Sequence, residues 1–204
     1  MLSPRLEAFF ARLRATPNFG SEEELRQLGE RHGDTPEIVQ AVIESKIVGK
    51  DDACRFWADT MNVAYVDPFV SVITDEAIEK IPHEVAKKVR GVGLYIFNGV
   101  LTIAMATPDD AETAKRLGLI ARIPCSPVFA LPREIEDAIA IHYSNEERLE
   151  DSLGQLERSN LFDVPDLASD KLAHLAENNA LVQILDEIVY YAMRERATDI
   201  HIEA

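Results

Sequence analysis

Cysteine is scarce in this sequence, which contains Cys54 and Cys125 and no others. Two cysteines so far apart could pair in principle, but they do not form the dense disulfide framework of small secreted domains. Long apolar runs are also missing, because no stretch approaches the roughly 18 residues of a membrane-spanning helix. The N-terminus lacks a basic segment followed by an apolar one, so no signal peptide is predicted. These absences favour a soluble, bacterial-type cytoplasmic protein.

Positive charge is also under-represented. The 204 residues include 21 Lys and Arg against 36 Asp and Glu, a formal net charge of −15. This balance argues against nucleic acid, since phosphate binding needs clustered cations, and it disfavours anionic lipid. A partner with a basic surface stays compatible. The hydrophobic content of 47% is ordinary for a globular chain and can fill a core in one or two domains.

The middle of the chain carries the strongest structural signal. Two runs rich in β-branched and aromatic residues flank Asn98-Gly99, a pair that tolerates positive φ and predicts a hairpin. The second run, Val100 to Ala106, is nearly all apolar and predicts a strand buried on both faces. Thr107 and Pro108 then predict the cap and first turn of a helix. We therefore expect the fold to be built around this central strand.

Residues 1–62 predict a small helical bundle. Apolar residues recur at helical spacing in four short stretches, with Ser3 and Ser21 placed as N-caps and with Gly33 and Gly49 as breaks. We interpret this region as a separate helical subdomain.

The first helix carries adjacent aromatic residues. Phe9, Phe10 and Leu13 share one face, and two interpretations stand: they fill the core of the bundle, or they dock into the groove of a partner. They are the candidate partner-binding residues of the sequence. It offers no candidate for a catalytic, cofactor-binding or metal site, since no Ser-His-Asp or Cys-His arrangement has supporting context.

Residues 63–144 predict a compact α+β subdomain, with a short, mainly antiparallel sheet packed against helices. Val63 to Val66 reads as a first strand, stopped by Asp67-Pro68. The extended run from Arg122 to Leu131 contains prolines, so an edge position in the sheet is expected. Pro132 then begins a closing helix.

Residues 145–172 predict an acidic linker, because acids far outnumber arginines there. Residues 173–204 predict a helix that leads into a period-two strand, the start of a following domain cut short. Asp199, His201 and Glu203 would share one face of that strand. They could bind a metal ion, or form a solvated or intersubunit polar face, and we prefer the second interpretation.

A family resemblance rests on two motifs. The stretch Ala197-Thr-Asp-Ile-His-Ile-Glu203 resembles the entry to the motor part of the type II secretion and type IV pilus assembly ATPases, where a helix leads into Ala-Ser-Asp-Ile-His-Ile-Glu-Pro. The stretch Leu101 to Asp110 is similar to the Leu-x-Val-Ala-Met-Ala-Asp-Pro-x-Asp hallmark of their N-terminal domain. The resemblance covers residues 36–144 and 177–204.

The resemblance implies a hexameric motor at the inner membrane, with ATP and Mg²⁺ bound in a RecA-like domain further along. The sequence has no phosphate loop, since Gly49-Lys50 is followed by Asp51 and lacks the earlier glycine. We therefore expect these residues to be non-enzymatic and without a cofactor. By resemblance, they would dock the motor onto the cytoplasmic domain of a membrane-anchored platform protein, and the protein would be cytoplasmic and peripheral at the inner membrane.

An alternative role is sensing of cyclic di-GMP, because the resemblance extends to members that bind it through Arg-Leu-Gly-x-x-Leu, a Gly-Leu-Ile turn and two glutamines. Aligning that pattern here puts Glu37 at the arginine, Val39 and Lys46 at the glycines, and Asp52 and Thr60 at the glutamines. A carboxylate would replace the phosphate-binding guanidinium, and the close backbone approach of glycine would be lost. The alignment argues against binding.

Overall fold

A computed structural model describes residues 2–17, 19, 21–143, 179–195 and 197–202. Residues 1–139 form one compact unit, and residues 140–204 form a second. The helices are α1 (Pro4–Arg14), α2 (Glu22–His32), α3 (Glu37–Glu44), α4 (Lys50–Thr60), α5 (Asp75–Glu79), α6 (His83–Val89), α7 (Ala111–Ala121), α8 (Pro132–His142) and α9 (Asn179–Arg194). The strands are β1 (Gly91–Phe97), β2 (Val100–Met105) and β3 (Cys125–Phe129). This α+β architecture, with helices followed by a small sheet packed with helices, is the predicted fold class.

Side-chain caps fix where the early helices begin. The Ser3 hydroxyl accepts a hydrogen bond from the Leu6 N–H at 3.1 Å, and the Ser21 hydroxyl accepts one from the Glu24 N–H at 3.2 Å. Each bond satisfies an N–H that has no partner within the helix. Both predicted caps are confirmed.

The predicted cap of α7 is wrong by three residues. Helix α7 begins at Ala111 rather than at Pro108, and its cap is Asp110 rather than Thr107. The Asp110 carboxylate accepts the N–H groups of Glu112 and Thr113, each at 3.1 Å, and so satisfies two free donors where a hydroxyl would satisfy one. The Thr113 hydroxyl also donates a hydrogen bond to this carboxylate, and this bond, followed by the two backbone bonds, lowers the pKa of Asp110.

The hairpin lies where the sequence predicts it. Asn98 and Gly99 have φ values of 49° and 75°, the left-handed pair that a two-residue hairpin turn requires. Strand β1 pairs antiparallel with β2, from Gly91 opposite Met105 to Phe97 opposite Val100. The turn sets the register from Phe97 to Tyr95, and an irregularity between Tyr95 and Gly93 shifts it by one residue for the rest of the ladder.

Strand β2 is central and β3 is an edge strand, as expected. The sheet order is β1-β2-β3, and β3 runs parallel to β2. The sheet thus has one antiparallel and one parallel ladder. The predicted strand at residues 63–66 is reduced to one bridge, Tyr65 to Phe129, because the chain turns at Asp67, whose carbonyl accepts the Ser71 N–H at 3.1 Å.

The helical layer shares its core with the sheet. Phe9 packs edge-on against Trp57, with ring centroids 5.2 Å apart, and Phe129 of β3 lies in the same buried cluster. Phe9, Phe10 and Leu13 are fully buried there. The docking interpretation of these three residues is corrected, since a partner cannot reach side chains enclosed by α4 and β3.

In the second unit, the structure describes residues 140–143, 179–195 and 197–202. The predicted acidic linker at 145–172 lies outside the described residues. Residues 197–202 do not form the predicted strand, since no ladder partner is present among the residues described. Within the described helices, none combines the length and apolarity needed to cross a membrane.

Gly93 marks the closest approach between the sheet and α5. A Cβ atom added there would lie 2.5 Å from the Ala77 carbonyl oxygen. We predict that Gly93→Ala lowers the free energy of unfolding by about 1–3 kcal/mol, because the backbone of α5 must move. Urea unfolding followed by circular dichroism measures the change. Gly49→Ala is the matched control, because a Cβ there meets nothing within 4 Å; equal losses for both variants would contradict the prediction.

Candidate functional site

One cleft in the first unit gathers charged residues from three helices. The α3–α8 cleft has a volume of about 780 Å³ and is lined by parts of α2, α3 and α8 together with Arg90. Its lining includes the cations Arg31 and Arg133 and the acids Glu44 and Asp137. Both signs of charge are therefore present, and the cleft differs from the uniformly cationic surface that a phosphate ligand favours.

Arg90 is the central side chain of this cleft. It adopts φ 47° at the end of α6, and its guanidinium donates to Glu37 at 2.8 Å and to Glu136 at 3.0 Å. The hydrogen bonds to Glu37 and Glu136 raise the pKa of Arg90. Burial opposes ionisation of Glu37, but hydrogen bonds from Arg90, from the backbone and from Thr35 together outweigh it and lower the pKa of this carboxyl. Two carboxylates thus neutralise the cation that would otherwise attract an anion.

The residues aligned with the cyclic di-GMP pattern do not come together as a phosphate site. Glu37 is engaged by Arg90, and Val39 is fully buried in the helical core. Asp52 is exposed on α4, and the Thr60 hydroxyl donates to the Trp57 carbonyl at 2.6 Å. Lys46 alone keeps a feature of the pattern, because its φ of 60° is the left-handed conformation that glycine favours.

A second polar feature joins α4 to α8. The Lys50 ammonium donates to Asp67 at 2.6 Å and contacts Glu134. Glu134 is 9% exposed, and its Oε2 atom is buried without a hydrogen-bond partner among the described residues. We call these three side chains the Lys50 cluster.

Burial and pairing compete within the Lys50 cluster. Burial disfavours the ammonium, but hydrogen bonds to Asp67 and Glu134 outweigh it and raise the pKa of Lys50. Burial also raises the pKa of Glu134, and the Lys50 hydrogen bond only partly opposes this. Nearby, burial raises the pKa of Cys54 to about 12, so this thiol stays protonated at neutral pH. The Lys50 cluster therefore connects α4 to α8, and the protonated Cys54 thiol beside it is not an activated nucleophile.

Metal ligation finds no support in the part of the chain described here. No group of three or more His, Cys, Asp or Glu side chains there could hold an ion. Asp199 and His201 are exposed, while Glu203 lies outside the described residues. The preferred interpretation of this face as a polar surface stays a prediction.

Sequence reasoning missed the two ionic features of the first unit. Arg90 lies far in sequence from Glu37 and Glu136, and Lys50 is similarly remote from Glu134. From the sequence, Gly49-Lys50 is interpreted only as an incomplete phosphate loop. The one local indication is that acidic Glu134 begins an otherwise apolar helix face, and this pattern does not indicate which residue pairs with it.

The comparisons first define the class of domain. A sequence model of the MshEN domain matches residues 61–149, which take in the sheet and the described part of α8. A solved structure of MshE with cdg, which denotes cyclic di-GMP, superposes with a TM-score of 0.53 at 18% identity. It covers 69% of this chain and 100% of that chain, and at this identity the likeness shows the fold alone.

A curated relative extends the similarity beyond the matched domain. The chain is 24% identical over 197 residues to the type IV pilus assembly ATPase PilB of Myxococcus xanthus, covering 90% of this chain. It spans 32% of PilB, so about a third of the relative is represented. The N-terminal domain of XpsE is also similar, at 15% identity and TM-score 0.47, over 68% of this chain and 96% of that one. Residues 61–149 thus match the MshEN domain, and the chain as a whole is similar to about a third of a type IV pilus assembly ATPase.

We predict that Lys50→Met lowers the free energy of unfolding by about 2 kcal/mol at pH 7, because Asp67 and Glu134 would be left as facing carboxylates. The figure is below the 3–5 kcal/mol of a fully buried pair, since Lys50 is partly exposed. Burial holds the pKa of Glu134 above its unfolded value, so the ionised form opposes folding. The loss of unfolding free energy in Lys50→Met must therefore shrink as the pH falls through the raised pKa of Glu134.

Urea unfolding between pH 7 and pH 4.5 measures both effects. Arg26→Met is the matched control, because Arg26 makes exposed pairs with Glu23 and Glu30 and should shift the midpoint little. If the loss of unfolding free energy in Lys50→Met grows on acidification, Glu134 does not have the raised pKa that this prediction requires.

Proposed function

We propose that this chain is the non-catalytic docking and regulatory region of its ATPase. It would bind the cytoplasmic domain of an inner-membrane platform protein and couple that protein to a hexameric motor. The observation that carries the proposal is the match of residues 61–149 to the MshEN domain, combined with alignment to one third of PilB. The protein would then be cytoplasmic and peripheral at the inner membrane.

The chemistry of the described residues supports a binding role over an enzymatic one. In the first unit the helical core reaches Phe129 of β3, the central arginine is neutralised and the buried thiol is protonated. The sequence lacks the Gly-Lys-Ser/Thr loop that would cradle phosphates. ATP and Mg²⁺ chemistry would therefore belong to a motor domain elsewhere in the full ATPase.

We predict saturable binding of this chain to the cytoplasmic domain of the platform protein encoded with the same secretion or pilus system. Biolayer interferometry at low and at near-physiological salt measures it, and the affinity should fall with salt because the charged groups are exposed. A cytoplasmic domain from an unrelated membrane protein of similar charge is the control. Equal binding to both domains, or to neither, would contradict docking.

Cyclic di-GMP sensing is the second candidate, because MshE, which shares the fold, was solved with that ligand. The α3–α8 cleft offers cations, but Glu37 stands where the pattern has an arginine and already pairs with Arg90. The charge at this position favours the docking proposal.

We predict that calorimetric titration of the chain with cyclic di-GMP gives no binding heat in the micromolar range. The physical reason is that a dianionic ligand would face the Glu37 carboxylate and an arginine that is already neutralised. Glu37→Gln is the informative variant, since it removes the carboxylate charge at nearly the same shape. Micromolar binding by the unaltered chain would overturn the preference for docking.

A further inference from the structure

A second cleft lies at the C-terminal end of α7, away from the α3–α8 cleft. Its volume is about 850 Å³. One wall is the α7 face with Ala114, Lys115, Gly118 and Leu119, and the other is the connection from Arg122 to the first residue of β3. We call it the α7 cleft. All of its lining residues belong to the first unit.

Gly118 explains how the cleft forms. A Cβ atom there would lie 3.4 Å from the Ile123 carbonyl oxygen and 4.0 Å from the Cys125 sulfur, so the connection packs closely against the helix at this point. Leu119, which lines the cleft, is 80% exposed, and the next residue, Ile120, is 43% exposed. An open apolar surface next to a cleft is a feature of interaction sites rather than of ordinary solvated helix faces.

The charge of the lining points to one kind of occupant. Lys115 and Arg122 line the cleft, and no acidic residue does. Neither cation makes an ion pair with any residue that the structure describes, whereas Arg5, Arg14, Lys50 and Arg90 are all paired. From Thr113 to Arg133 the sequence contains no Asp or Glu, although the whole chain carries 36. A cationic rim around an apolar floor is complementary to an apolar segment flanked by carboxylates.

The shape favours a helix over a small molecule. Leu119 in the cleft is followed by exposed Ile120, so α7 presents two adjacent apolar side chains against which a partner helix can pack. We propose that the α7 cleft binds an amphipathic helical segment of a partner protein that carries leucine-type residues on one face and acidic residues beside them. The inference rests on the proposed docking function and names the surface and chemistry of the contact.

A synthetic peptide tests this directly without a platform protein. The probe is a fluorescent amphipathic helix of about four turns, with leucines at i, i+4 spacing and glutamates beside them. A matched peptide has lysines in place of the glutamates. We expect the glutamate peptide to bind in fluorescence anisotropy, more weakly as salt rises, and the lysine peptide to bind at least about tenfold more weakly.

Three variants locate the contact. Leu119→Glu should weaken the glutamate peptide by about tenfold or more, because it removes an exposed apolar contact and adds a repelling charge. Val70→Glu is the matched control, since Val70 is 82% exposed and does not line the α7 cleft, so its replacement should change the peptide affinity little. Arg122→Gly should weaken binding without unfolding the protein, because the φ of 59° at Arg122 suits glycine.

Cys125 provides a second readout. This thiol lines the cleft and is half-buried, whereas Cys54 is fully buried with a pKa raised to about 12. A saturating concentration of the glutamate peptide should slow the alkylation of Cys125 by iodoacetamide, and Cys54 should stay unmodified. Mass spectrometry measures the alkylation of each cysteine over time.

The outcomes separate this inference from the docking proposal. Peptide binding that Leu119→Glu abolishes supports the cleft, whether or not the platform domain binds. Equal affinity for both peptides, unchanged alkylation of Cys125, or equal effects of the Glu variants at 119 and 70 would overturn it. Sedimentation showing a dimer of the chain that Leu119→Glu dissociates would also overturn it, since the occupant would then be a second copy.

Discussion

The packing of Phe129 into the helical core holds the first unit together. Phe129 ends strand β3, and its backbone also bridges to Tyr65. Its side chain shares a buried cluster with Phe9 and Trp57. Fully burying such aromatic groups contributes about 1.5–3 kcal/mol each. Because one residue belongs to both the sheet and the helical core, the helices and the sheet cannot separate without exposing that core. The contact also covers part of an otherwise open sheet edge.

The Lys50 cluster lies at the same junction and acts differently. Apolar packing is tolerant of small shifts, but Lys50 must meet Asp67 and Glu134 at hydrogen-bond distance. Buried ion pairs give little net stability, because desolvation offsets their attraction. Their effect is to penalise arrangements in which one partner is left alone. Phe129 therefore supplies cohesion, and the Lys50 cluster restricts how α4 and α8 are placed.

Local features of the fold could be predicted from the sequence, and remote pairings could not. The Asn98-Gly99 turn, the Ser3 cap and the edge position of β3 each depend on residues close in sequence. The cap of α7 was misplaced because Thr107 and Asp110 both suit a cap, and only the geometry of the carboxylate decides. The ionic partners Arg90 and Glu136 were missed, since no local pattern links positions 46 residues apart.

Charge placement, rather than fold, separates the two candidate functions. Similarity to MshE at 18% identity carries the backbone arrangement but not the side chains that would meet a phosphate. Lys46 has a φ of 60°, a conformation that glycine favours, so the loss of glycine does not by itself prevent a turn at this position. Glu37 does not keep the charge of the pattern, and together with Glu136 it neutralises Arg90. The unpaired cations Lys115 and Arg122 border an apolar surface instead. Lys115 and Arg122 are thus available to a packing helix, whereas Arg90, the central cation of the α3–α8 cleft, is neutralised by two carboxylates.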